Sequence, residues 1–339
     1  MARGHILALL VLCLLCTMHS SKIEGKIDIG VNYGMQGNNL PPPREVIEMF
    51  ERYNIGKIRL FEPVHEVLEA LRGKKIEVFL GTRNEDIPVL ASSPENAQAW
   101  FNTNVQPYLK DMNIPFITVG NEVIPGRFSE SILPAIQNIQ NILKANGLRD
   151  MRATTVVYPV VLGASHPPSA GVFSKASIGY MTDICKYLES ENAPLVVNVY
   201  PYLAYAEDPR HVRLDYAQFT ATEPVVRDGN LSYNNLFDAT LDAFVWAMEK
   251  VGVNDVALIV GESGWPSAGM GNFTTPNLAA TYNKNFMKHI LSYRGTPKRP
   301  GDYIEGFIFA MFNENLKPAG REQHFGLFYP DKTPVYNVF

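Results

Sequence analysis

Cysteine is close to absent from this chain of 339 residues: there are three, and Cys13 and Cys16 fall in the first apolar stretch. Beyond that stretch only Cys185 remains, so no internal disulfide staples the fold. A chain exported to an oxidising space without a disulfide must rest on a large core, which an apolar fraction of 46% makes feasible. No His or Asn motif flanks Cys185, so it reads as a buried, unreactive thiol rather than a nucleophile. Excess positive charge is also missing. With residues 1–25 set aside, 28 basic residues face 33 acidic ones, which argues against nucleic acid or anionic membrane as partner. Neutral substrates stay open. The histidines show no i,i+4 pairing and no Cys/His cluster, so neither a metal nor a cofactor is expected. Gly30-Val-Asn-Tyr-Gly34 lacks the spacing of a dinucleotide loop.

Long hydrophobic runs are missing too, except at the start. Arg3 precedes an apolar stretch from Ile6 to Cys16, and polar Thr17 to Ser21 follow. The stretch is too short to span a bilayer and reads as a secretory signal peptide over residues 1–25, cleaved between Ser20 and Lys26. No later segment is long enough to be transmembrane, and Tyr336-Asn-Val-Phe339 is not a lipid-anchor tail. The expectation is a secreted monomer with no membrane anchor. The sequons Asn230-Leu-Ser232 and Asn272-Phe-Thr274 fit such a chain.

From Lys26 onward, short β-rich runs alternate with amphipathic helical stretches. Strands are expected at 27–33, 57–61, 76–80, 116–119, 152–158, 195–200, 256–260 and 304–309. Helices are expected at 43–53, 64–72, 94–112 behind a Ser93 cap, 129–145, 172–188, 236–251 and 277–293. Alternation of this kind implies a parallel sheet with right-handed crossovers. Eight units predict an α/β fold, a closed (β/α)₈ TIM barrel forming one catalytic domain over 26–339. The long polar connection from Ala204 to Asn235 predicts a small inserted subdomain after strand six.

Two apolar runs finish on a carboxylate. Pro115-Phe-Ile-Thr-Val-Gly-Asn-Glu122 ends strand four, and Val256-Ala-Leu-Ile-Val-Gly-Glu262-Ser-Gly-Trp-Pro266 carries strand seven. A carboxylate is costly where the backbone leaves a core, so two at strand ends point to one shared pocket. Barrel sites lie at the carboxyl ends of the strands, and paired carboxylates are the minimal machinery for cleaving a glycosidic bond. Asn121 adds an amide that can hold a sugar hydroxyl. Phe312-Asn-Glu314-Asn-Leu-Lys317 and Glu322 follow strand eight and read as residues that orient the pair, or as a plain Glu314–Lys317 ion pair. Tyr33, Tyr200, Tyr202, Trp265 and Phe312 cluster at strand ends, where rings suit the C–H faces of sugars or simply close the barrel top. Gly261-Glu-Ser263-Gly-Trp265 lacks the second glycine of a serine-hydrolase elbow, so a serine esterase is disfavoured.

Val-Gly-Asn-Glu122, Val-Gly-Glu262-Ser-Gly-Trp-Pro-Ser, Asn198-Val-Tyr-Pro-Tyr202 and Phe-Asn-Glu314-Asn-Leu-Lys317 resemble plant glycoside hydrolase family 17, its β-1,3-glucanases above all. The resemblance runs from Ile29 to Pro330, with Asn32 where many relatives have Cys. It implies a hydrolase of β-1,3-glucan, a polysaccharide partner, Glu122 as acid/base and Glu262 as nucleophile. It also implies that Tyr33 lies near the cleaved sugar, and that Glu314, Lys317 and Glu322 line or support the site. The vacuolar sorting extension of some members has no counterpart here, which favours the cell wall space. Mixed-linkage β-1,3-1,4-glucan and a non-catalytic glycan-binding role remain as alternatives.

Overall fold

The computed structural model describes residues 25–339, so the signal peptide expected over residues 1–25 lies, Gly25 apart, outside the described residues. Eight strands form the barrel: β1 (Ile27–Asn32), β2 (Ile55–Leu60), β3 (Glu77–Gly81), β4 (Asn113–Asn121), β5 (Arg152–Val157), β6 (Leu195–Asn198), β7 (Leu258–Ser263) and β8 (Glu305–Ile308). Each pairs in parallel with its neighbours in chain order, and β8 closes on β1. The fold is a (β/α)₈ barrel, as the alternation predicts. Parallel strands covered on both faces need near-continuous apolar runs, and β2, β3, β6, β7 and β8 are buried throughout.

The helices between and after the strands are α1 (Pro43–Arg52), α2 (His65–Leu71), α3 (Ile87–Ser92), α4 (Pro94–Asn104), α5 (Ser129–Ala145), α6 (Ile178–Ser190), α7 (Pro201–Glu207), α8 (Leu214–Ala217), α9 (Leu236–Lys250) and α10 (Pro276–Ile290). Local chemistry sets their starts. Ser93, Asn235 and Thr275 accept the N–H groups of Asn96, Asp238 and Leu278, satisfying donors that a first helical turn leaves free. Apolar faces such as Val46, Ile47, Met49 and Phe50 of α1 then pack against the strands in one continuous core. Cys185 is part of that core, and burial pushes its thiol up to about 12, in keeping with an unreactive group.

Two segments differ from the sequence reading. The helix expected to reach Met112 stops at Asn104, because Pro107 disfavours helical backbone before it; a 3₁₀ turn over Gln106–Tyr108 follows. The helix expected from Val172 begins at Ile178. Val172–Phe173 instead pairs antiparallel with Leu162–Ala164 in the connection after β5. In the connection after β6, α7 and α8 precede a hairpin of Val226–Asp228 with Leu231–Tyr233. Tyr216 and Tyr233 there share a small apolar cluster with Ala239 and Leu236 of α9, which ties the excursion to the barrel.

Side chains alternate between the two faces of a strand, so the inner face can be followed from floor to mouth. At the floor, the Lys57 ammonium lies 2.9 Å from Asp28, 2.8 Å from Glu305 and 4.0 Å from Glu77. One layer up, Phe79, Phe116, Val156, Val196, Ile259 and Phe307 fill the barrel with apolar bulk. Two residues beyond Lys57 and Val196 come Arg59 and Asn198, at the level of the mouth.

Candidate active site

Glu122 and Glu262 meet at one mouth because β4 and β7 both deliver them at their carboxyl ends. Local backbone aims them. The β4–β5 register shifts between Thr118 and Asn121, and Gly120 (φ 73°) and Glu122 (φ 56°) both adopt left-handed backbone. That conformation is strained for a glutamate and recurs where function requires a fixed direction. On β7 the register to β6 shifts between Val260 and Glu262. The intervening Gly261 has no side chain for a simple reason: a Cβ there would lie 2.6 Å from Val196 Cγ1 and 3.2 Å from Arg59 Nη1.

Glu262 is almost fully buried, and both its oxygens are engaged. Oε1 accepts from Arg59 Nη1 at 2.8 Å, and Oε2 accepts from the Tyr200 hydroxyl at 2.7 Å. Arg59, itself 1% exposed, also donates to the Gly261 carbonyl (3.0 Å) and to Asn121 Oδ1 (2.8 Å). A buried guanidinium held by three acceptors suits an ionised partner. Glu122 has no such partner; its Oε1 accepts from Asn198 Nδ2 at 2.7 Å, and that amide also reaches Asn121 Oδ1 at 3.2 Å. One continuous network therefore joins the two carboxyls through Asn198, Asn121 and Arg59. Burial first, then the charge of Glu262, pushes Glu122 up to about 7. Glu322 adds to the rise, whereas the Asn198 bond and Arg59 oppose it. The two carboxyls are therefore unequal: Glu262 is paired with a buried guanidinium, and Glu122 is bound by an amide alone.

The pair sits in a cleft of about 980 Å³. Its walls include Tyr33, Asn121, Tyr200, Glu314, Lys317 and Glu322, all anticipated from the sequence. Glu314 accepts from the Gln36 N–H at 2.8 Å and pairs with Lys317 at 3.4 Å, joining the loops after β8 and β1. Lys317 Nζ lies 4.2 Å from the Phe309 ring centroid. The Tyr33 hydroxyl is buried with no hydrogen-bond partner among the described residues, and the residue lines the cleft. Tyr202, Trp265 and Phe312, read from the sequence as sugar-facing rings or as closing the barrel top, do not line the cleft. Tyr202 and Trp265 pack edge-to-face at 5.2 Å, and the Trp265 indole N–H is spent on the Phe273 carbonyl. Phe312 meets the Tyr33 ring edge-on at 6.3 Å from behind. Ser263 points into the core, where its hydroxyl engages Val199 O and Tyr282, as the missing elbow glycine implies.

Arg59 and Asn198 were not singled out in the sequence, although Asn198 opens one of its motifs. A signal existed for Arg59: Ile55-Gly-Lys-Ile-Arg-Leu60 places two cations in an otherwise apolar strand, on one face.

A (β/α)₈ barrel that presents two unequal glutamates at the carboxyl ends of its strands, inside an open cleft, defines a glycoside hydrolase. The chain belongs to one family of them: the sequence model of glycosyl hydrolases family 17 matches residues 29–339. It is 51% identical over 323 residues to a probable glucan endo-1,3-beta-glucosidase of Arabidopsis thaliana, covering 95% of this chain and 93% of that relative. A solved structure of a β-1,3-glucanase and allergen of Cryptomeria japonica pollen is 47% identical, with a TM-score of 0.88 over 91% of this chain and 98% of that one. A structure described among two plant β-glucan endohydrolases with distinct substrate specificities is 44% identical, with the same TM-score, over 91% of this chain and 99% of that one. Among the described residues, no helix is long and apolar enough to cross a membrane.

Proposed function

We propose that this chain is a secreted endo-hydrolase of β-1,3-glucan that works by retaining double displacement. The observation that carries the proposal is the asymmetry of the pair: Glu262 is held by Arg59 and Tyr200, while Glu122 is raised to about 7 with no cation of its own. Glu262 attacks the anomeric carbon, and Glu122 gives its proton to the departing glycosidic oxygen. The bond to the leaving sugar breaks as the ester to Glu262 forms. Esterification removes the charge that helped keep Glu122 protonated, so Glu122 next takes a proton from water as the water attacks the same carbon. Glu262 then leaves as a carboxylate, received again by the Arg59 and Tyr200 donors. Tyr33, Glu314 and Lys317 line the cleft beside this pair and support the cleaved sugar.

The choice of β-1,3-glucan rests on the relatives' names, and a defence or wall-turnover role in the apoplast rests on the expected signal peptide. A second reading, mixed-linkage β-1,3-1,4-glucan, stays open because the shared motifs act on the cleaved sugar and not on distant subsites, and the 44% identical neighbour is described as one of two plant β-glucan endohydrolases with distinct substrate specificities. A glycan-binding protein without turnover would have no use for the Arg59–Glu262 pair. Product analysis on linear β-1,3-, mixed-linkage and β-1,4-glucans separates the three. Oligosaccharide release from the first substrate alone supports the proposal; preference for the second replaces it, and no release from any of them refutes it.

A further inference from the structure

The tip of β4 outruns its neighbour. The last backbone rung that β3 and its continuation give to β4 is the Thr82 N–H to the Thr118 carbonyl, at 2.9 Å. Beyond it, Gly120 and Asn121 still have peptide groups facing that side, while the neighbouring chain turns away into the 3₁₀ turn Asn84–Asp86. Side chains take over the pairing. The Gly120 N–H donates to Thr82 Oγ1 at 3.1 Å. The Asn84 carboxamide then serves both groups of one residue: the Asn121 N–H donates to Asn84 Oδ1 at 2.8 Å, and Asn84 Nδ2 donates to the Asn121 carbonyl at 3.0 Å. A side-chain amide used this way copies the donor and acceptor of a strand peptide. On the opposite side, the Glu122 N–H donates to the Val156 carbonyl at 2.9 Å, so the segment is gripped from both flanks.

We propose that Asn84 is a positioning residue for the reaction, a surrogate strand peptide that holds the Gly120–Glu122 turn and so aims the Glu122 carboxyl at the leaving oxygen. The two left-handed residues explain why such a clamp is needed. Glu122 at φ 56° tends to relax toward ordinary backbone, and that relaxation swings its side chain away from Asn198. The same clamp fixes Asn121, whose Oδ1 receives both Arg59 and Asn198, so it also sets the spacing of the network between the two carboxyls. Thr82 contributes the neighbouring bond, whereas Asn84 pairs with both the N–H and the carbonyl of one residue, Asn121.

The inference rests on Glu122 being the acid/base, and the test keeps the two claims apart. Asn84→Ala is compared with the parent and with Glu122→Gln on linear β-1,3-glucan and on a dinitrophenyl β-laminaribioside, whose leaving group needs no proton. For Asn84→Ala, kcat on glucan falls by about 10- to 100-fold, the range for loss of a group that orients an active residue, with KM within about twofold. The pre-steady-state burst of dinitrophenol stays within about threefold of the parent, because that step needs no proton donor. Equal losses in the burst and on glucan, or an unchanged kcat on glucan, overturn the clamp. If Glu122→Gln itself fails to show the split between substrates, the acid/base reading fails instead. Asn84→Asp keeps the acceptor for the Asn121 N–H but sets a charged oxygen against the Asn121 carbonyl, so its kcat on glucan falls at least as far as that of Asn84→Ala while the dinitrophenol burst is again spared. Losses in the two variants that follow their thermal midpoints and strike the burst equally also overturn the proposal.

Discussion

Replacing Tyr200 by Phe removes one hydroxyl and little else. The ring lies edge-on to Phe309 at 6.1 Å and to Phe325 at 5.7 Å, and phenylalanine keeps those contacts. What goes is the 2.7 Å donation to Glu262 Oε2. Burial, and then the neighbouring Glu262, raises the Tyr200 hydroxyl far above its ordinary value, so it remains a donor throughout the working pH range. A hydrogen bond to a charged group contributes about 2 kcal/mol, which corresponds to about 30-fold in rate when it is realised in the transition state. The bond is strongest when Glu262 carries a full charge, and that charge returns as the glycosyl-enzyme breaks down. Tyr200→Phe therefore slows release of Glu262 more than its attack. Steady-state kcat on β-1,3-glucan falls about 30-fold, and a burst with dinitrophenyl β-laminaribioside becomes larger relative to the steady rate. A kcat within threefold of the parent, with circular dichroism showing the same fold, would refute the reasoning.

Other consequences can be checked with the same material. Glu122→Gln loses activity on glucan but forms the glycosyl-enzyme from the dinitrophenyl substrate, and azide restores its turnover by supplying a nucleophile that needs no base, giving a β-glycosyl azide; an α product would contradict retention. Stability should decline as pH rises. Burial raises Glu122 and Glu77 to about 7 and Asp242 to about 6, so each favours the protonated folded state, and that contribution is full below the unfolded value and lost through the folded one. Between pH 5 and 8 the thermal midpoint drops by about 5 °C or more, and a rise over that window in calorimetry would overturn the assignment. Lys57→Met leaves Asp28, Glu77 and Glu305 buried around a missing cation and costs about 3–5 kcal/mol in urea unfolding, the usual loss when one partner of a buried pair is removed. An unchanged urea midpoint would show that the floor cluster reorganises freely.

The barrel was legible because its strands are apolar, short and regularly separated by helical stretches; Ser129–Ala145 lies where the helix was read. The antiparallel pair Leu162–Ala164 with Val172–Phe173 was not, since strands of two or three residues carry no readable period. Glu122 and Glu262 stood out as carboxylates ending apolar runs. Arg59 did not, because a cation in an alternating strand usually faces water, and only the closed barrel turns that face inward. Tyr202, Trp265 and Phe312 kept two readings for a related reason: a ring in a loop after a strand has no periodic neighbour to show which way it points. Asn84 was invisible for want of any pattern at all. Its partners are the backbone N–H and carbonyl of Asn121, which become available where β4 extends past β3.

The central claim is that Glu262 is the nucleophile of a retaining pair. A 2-deoxy-2-fluoro laminaribiosyl fluoride slows breakdown of the glycosyl-enzyme enough for the labelled peptide to be sequenced by mass spectrometry. The account predicts one fluorosugar on the peptide containing Val260-Gly-Glu262-Ser263, attached to Glu262. A label on Glu122 or Glu314, or no label while the α-anomer is released first from glucan, would contradict it.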